Sequence, residues 1–169
     1  MIASVTGPKS VSDPLNWYTA ARGAAARSRE GARLRELIEQ RCAGLTALVA
    51  QVRERLPQVQ VRARTRLNER IAELAASVDH ERLEQELAIL LQRLDVDEEL
   101  DRLSAHIGEI QRVIGGSEPA GRRLDFLMQE LNREANTLSS KSQDLEVTRT
   151  AVDMKVLIEQ MREQVQNVE

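Results

Sequence analysis

Aromatic residues are nearly missing from this sequence of 169 residues: Trp17, Tyr18 and Phe126 together make up 2%. A core without them must be assembled from many aliphatic side chains. Eight Gly and four Pro are too few for a sandwich or barrel, whose short strands need frequent turns. The single cysteine, Cys42, excludes an internal disulfide and any Cys-based zinc motif. With Leu45, Leu48 and Val49 at helical spacing from it, it reads as a buried, inert thiol. No glycine-rich phosphate loop or nucleophile elbow occurs, and His80 and His106 are the only histidines. No apolar run approaches the roughly 18–20 residues of a membrane span. The first residues show no basic region leading into an apolar core, so the expected location is the cytoplasm, with no membrane contact.

What is present is the composition of helices. Hydrophobic residues make up 41% and charged residues 30%, with Ala, Leu, Glu, Gln and Arg prominent. The fold class expected is all-α, an elongated helical bundle with long, coiled-coil-like helices. The formal net charge of -3 argues against a general polycation. Its positive charge is nevertheless peculiar, because Lys occurs only at Lys9, Lys141 and Lys155 and the other 21 basic residues are Arg. Guanidinium suits forked contacts with phosphate or carboxylate, although GC-rich coding produces the same bias.

Three stretches are expected along the chain. Residues 1–25, with Gly7-Pro8 and Asp13-Pro14, read as a flexible lead-in docked by Trp17 and Tyr18. Residues 26–78 read as a long helical hairpin or kinked helix, its stripe running through Leu34, Ile38, Leu45, Val49, Val52 and Leu56 to a break or kink at Pro57. Residues 79–169 read as a C-terminal helical domain. There Asp79 is the expected N-cap of one helix, and Asp95 with Glu98 resembles the capping box of the next. That helix carries Leu100, Leu103, Ile107, Ile110 and Ile114 and ends at Gly115-Gly116. After a further break at residues 139–142, the last helix repeats Val147, Ala151, Met154, Ile158, Met161, Val165 and Val168 in steps of four and three, which is a coiled-coil seam.

The stretch 121–141, GRRLDFLMQELNREANTLSSK, is the most informative. As a helix it puts Leu124, Leu127, Met128, Leu131, Ala135 and Leu138 on one side. Its other side gathers Arg122, Asp125, Gln129, Asn132, Arg133 and Asn136, with Glu130 and Glu134 on the shoulder. An ordinary solvated face is mostly Lys and Glu; this one carries forked groups that make directional hydrogen bonds. It reads as a face that binds something, or as a partner-helix surface.

The chemistry open to such residues is narrow. Glu98, Glu99, Arg102 and His106 share a helix, and Glu130 and Glu134 lie one turn apart on the next. Antiparallel packing across the Gly-Gly loop would bring the two sets to one cleft. Paired carboxylates repel, and a divalent cation or an Arg relieves them. Glu130, Glu134 and Asp125 are therefore candidate ligands for Mn or Mg, with Glu98, Glu99 and His106 as further catalytic candidates. Arg102, Arg122, Arg123, Gln129, Asn132, Arg133, Asn136 and Lys141 are candidate RNA contacts. The bland alternatives are surface ion pairs for the glutamates and a boundary histidine for His106. Residues 53–70 add six arginines against Glu54 and Glu69, read equally as an RNA track or as a solvated helix flank.

Together, EELDRLSAHI, GRRLDFLMQELNREANTLSSK and the closing IEQMREQVQNVE resemble the C-terminal part of the YicC/YloC endoribonucleases, over roughly residues 26–169. The resemblance implies a divalent-metal-dependent enzyme that cuts single-stranded RNA internally and assembles as a homo-oligomer, a hexamer. It implies motif positions at Glu98, Glu99, Arg102, His106, Arg122, Asp125, Gln129, Glu130, Arg133, Glu134, Asn136 and Lys141 without assigning a role to each. It also implies that the family's additional N-terminal domain is missing from this chain. Two alternatives stay beside the enzyme: a non-catalytic RNA-binding module and an oligomerisation module.

Overall fold

The computed structural model describes residues 14–74, 85, 88–89, 96–116 and 120–168, with side chains from Arg29 onward. Four helices are delimited among the described residues, with no strand: α1 (Pro14–Leu74), α2 (Asp97–Gly115), α3 (Gly121–Lys141) and α4 (Leu145–Val168). Helix α1 packs on α2 and α4, and α3 packs on the same two, so the bundle is a square whose dominant contacts are its four sides. Short links from α2 to α3 and from α3 to α4 make those neighbours antiparallel.

The core is the aliphatic one that the scarcity of aromatics requires. From α1 come Ile38, Leu45, Val49, Val52 and Leu56; from α2, Leu100, Leu103, Ile107, Ile110 and Ile114. All six residues of the apolar side of α3 are buried, as are Val147, Ala151, Met154, Ile158, Met161 and Val165 of α4. Each contributes roughly 1.5–3 kcal/mol. The heptad-like stripe of α4 is thus packed within its own chain, and Val168's side chain lies outside the described residues. Cys42 is fully buried, and burial, with Glu39 nearby, pushes its thiol up to about 11. It is an inert core residue.

Several boundaries differ from the sequence expectations. Helix α1 begins at Pro14, inside the stretch read as a lead-in. Pro fits the first helical position, and the Ala-rich run after it has helix propensity without any apolar period. The same helix continues through Pro57, so there is no hairpin there. Pro57 faces solvent, and the neighbouring Leu56 and Val59 keep the chain on the core. The start of α2 is capped by Val96 with no side-chain hydrogen bond, so no capping box forms. Helix α3 runs through Ser139 and Ser140 to Lys141, moving the break to residues 142–144. There Asp144 caps α4, its Oδ1 accepting the backbone N–H groups of Glu146 and Val147, each at 3.1 Å. The helix expected to open at Asp79 and its leucines lie outside the described residues, as do Asp95 and residues 1–13.

Among the described residues, no helix is long and apolar enough to cross a membrane.

Candidate functional site: a carboxylate and histidine seam

The α2–α3 side of the square buries charge. Glu99 follows Val96 by three residues and precedes Leu103 by four; Glu134 stands in the same relation to Leu131 and Leu138. Both therefore sit within apolar stripes and are 2% and 4% exposed. The signal for this burial was in the spacing, although Glu134 reads by sequence as a shoulder residue.

Arg102 of α2 joins these carboxylates. Its Nη1 pairs with Glu98, its Nη2 donates to Glu99 Oε1 at 3.1 Å, and its Nε lies 2.9 Å from Glu134 Oε2. The last contact is an ion pair without hydrogen-bond alignment, which leaves Nε and Oε2 buried and unsatisfied as donor and acceptor. Glu134 first, then Glu98 and Glu99, hold the guanidinium pKa above its ordinary value against the opposing effect of burial. Lys141, at the end of α3, donates to the same Glu99 Oε1 at 2.9 Å. Glu99 Oε2 is buried with no hydrogen-bond partner.

One turn further along α2, His106 meets Glu130 and Glu134 of α3. One ligand atom from each lies within 4.8 Å of the others; His106 and Glu130 are half-buried and Glu134 is buried. Around this seam four carboxylates (Glu98, Glu99, Glu130, Glu134) face two permanent internal cations, Arg102 and Lys141. Arg133 is largely solvated and approaches Glu130 only to 3.9 Å. The excess of negative charge and the mixed nitrogen and oxygen donors fit a divalent cation. The packing of α2 on α3 thus brings together the two sets of residues expected to share a cleft.

Other expected site residues are placed elsewhere. Asp125 is not in the His106 group; it accepts from Gln129 at 2.7 Å, Arg162 at 3.3 Å and Gln166 at 3.4 Å on the α4 side of α3. Its position, nine residues before Glu134, puts it near the opposite edge of the helix, so it is no ligand here. Arg102 and Lys141 are engaged by carboxylates instead of standing free for RNA. Arg123 pairs with Glu109, whose carboxyl is held below its usual range first by Arg112 and then by Arg123. Arg122 is exposed and carries no ion pair among the described residues. Gln129, Asn132, Arg133 and Asn136 line a groove of about 350 Å³ with α4. The contributions of Glu159 and Arg162 to that groove were not read from the sequence, because an α4 residue's partner across 30 residues leaves no local spacing signal. A second groove, about 520 Å³, runs between Arg62, Arg64, Arg66 and Arg70 of α1 and the residues 143–145 link.

A buried carboxylate–guanidinium network beside a histidine and paired glutamates, on an all-helical frame, is the arrangement of a metal-assisted hydrolase centre. The family model described as "Endoribonuclease YicC-like, C-terminal" matches residues 52–169, and the chain belongs to that family. Two relatives are each named "Probable endoribonuclease YicC". The protein of Haemophilus influenzae is 48% identical over 145 residues, 86% of this chain and 50% of its own length. That of Clostridioides difficile is 40% identical over 146 residues, 85% of this chain and 50% of its own. The chain spans about half the length of these relatives.

Proposed function

We propose that this chain carries the hydrolytic centre of a divalent-metal-dependent endoribonuclease acting on single-stranded RNA in the cytoplasm. The observation that carries the reading is the meeting of His106, Glu130 and Glu134 on a seam with surplus carboxylates. A Mn or Mg ion held by these three side chains would polarise a phosphate and lower the pKa of a bound water. Glu130, half-buried and only loosely approached by Arg133, is the carboxylate placed to accept that water's proton. Glu134 is oriented by Arg102, which Glu98 and Glu99 hold in turn, and Lys141 fixes Glu99. Arg122 and Arg133, both exposed, are the free guanidinium groups for RNA phosphates. The names of the relatives support RNA as the substrate. Leu145, Val152 and Val156, all at least half exposed along α4, support assembly into a homo-oligomer.

The test is manganese-dependent cleavage of an unstructured RNA, read on a gel. His106→Ala and Glu134→Gln are expected to lower the rate about a hundredfold or more, since loss of an outer-sphere partner alone costs 10–100-fold. RNA binding without cleavage in either Mn or Mg would reassign the chain as a binding module.

A further inference from the structure

We infer that the groove between α3 and α4 receives one unpaired nucleobase of the RNA, an adenine, and that Asn132 and Asn136 read its edge. The inference deepens the hydrolytic reading and rests on it for the strand that delivers the base. The groove, about 350 Å³, has an apolar floor made by Met128 and Ile158, which are 0% and 1% exposed in the core below it. Its walls are polar. A base has that same division, with apolar faces and a hydrogen-bonding rim.

The two asparagines are unemployed. Neither side chain makes a hydrogen bond among the described residues, although asparagine inside a helix is unfavourable unless something uses it. They stand one turn apart and open into the same groove. Gln129 beside them differs, because its amide already donates to Asp125. Asp125 also receives Arg162 and Gln166, so one end of the groove is pinned by a closed network. With Arg162 engaged there, the free groups at the groove are amides, each offering a donor next to an acceptor. That pairing matches the N6 amine and N7 of adenine. Single-stranded RNA is recognised in this way, through bases turned out of the stack.

Position supports the same reading. Glu130 and Glu134 lie on the α2 edge of α3, and Asn132 and Asn136 on its α4 edge. A strand crossing the outer face of α3 passes Arg133 and the exposed Phe126 over a helix roughly 10 Å wide. A phosphate at the carboxylate seam thus leaves a neighbouring nucleotide within reach of the groove.

The measurement is fluorescence anisotropy of short oligo-A, oligo-C and oligo-U ribonucleotides on the whole chain, which needs no hydrolysis. Oligo-A is expected to bind more tightly than the other two. Asn132→Ala and Asn136→Ala should each lower oligo-A affinity about tenfold or more and flatten the ranking. Asn132→Asp, which keeps the shape and so the fold, should flatten it as well. Glu134→Gln should abolish cutting and leave the ranking in place. A chain that ranks the oligomers but never cuts would sink the hydrolase reading alone and support the pocket. Equal binding of all three oligomers, or a ranking that survives the asparagine changes, overturns the inference. So does a change in oligomeric mass with the ranking intact, which would make the groove a subunit contact.

Discussion

Two sides of the square bundle solve the packing problem differently. Between α1 and α4 the buried residues are hydrocarbon from end to end, apart from the inert Cys42 and Thr150, whose hydroxyl bonds back to Glu146 O at 2.9 Å. Between α2 and α3 the same kind of stripe is interrupted by Glu99 and Glu134, with Arg102 and Lys141 brought in to meet them. Buried ion pairs are weak contributors to stability, and well-packed apolar residues in their place are often neutral or better. A chain able to fill one seam with Val, Ile and Met had the means to fill the other. The charge at α2–α3 is therefore read as retained for chemistry, and the α1–α4 seam as packing.

The contrast is broken most directly in the core. Leu131→Ala removes a fully buried side chain from the middle of α3 and is expected to cost about 2–5 kcal/mol in chemical denaturation. Its Mn-induced rise in melting temperature should survive. Glu134→Gln should do the opposite, keeping most of the stability and losing that rise. If both variants lose both properties, the two seams are not separable.

A middle-sized effect is expected at the end of the bundle, where Arg55 donates two hydrogen bonds to Asp144 at 2.7 and 3.0 Å. This pairing, with help from the N–H groups of Val147 and Glu146, holds the Asp144 carboxyl below its ordinary range despite burial. Asp144→Ala loses both the cap and the clasp and is expected to cost about 1–2 kcal/mol near neutrality. Asp144→Asn keeps a capping oxygen and should cost less. A carboxyl with a depressed folded pKa stabilises above its unfolded pKa and stops doing so as pH falls through the folded value. The gap between wild type and Asp144→Asn should therefore be constant above about pH 5 and shrink below about pH 4. A gap independent of pH would show that the charge is idle.

The smallest change expected is a gain. A Cβ on Gly44 of α1 would meet Leu157 Cδ1 of α4 at 3.1 Å, the far end of a half-buried, adjustable side chain. Gly44→Ala should thus keep most of the helix-propensity advantage, up to about 1 kcal/mol, in a thermal melt. A loss of stability would mean that the α1–α4 seam cannot yield even a few tenths of an ångström.

How far the chain could be read in advance follows from the range of each signal. The apolar faces of α2, α3 and α4 were legible because a 3.6-residue period is local, and every expected core position described there is buried. The meeting of His106 with Glu130 and Glu134 was legible because a Gly-Gly link forces neighbouring helices antiparallel. Arg102 and Lys141 were misread as RNA contacts because their partners lie on another helix, where spacing carries no information. Asp125 looked like a ligand from its place on the polar face, but the residues that claim it, Arg162 and Gln166, arrive from α4. Pro57 was overweighted, since a proline on the solvent side of a helix that continues to bury its neighbours need not end it.

The closed ring of four helices also separates what selection can adjust. Groups on different sides that share no partner contribute almost additively to stability. Gly44 and Leu157 lie on one side, while the histidine and its two glutamates lie on the side diagonally across. Firmness can thus be tuned on one flank while the reactive flank is left as it is.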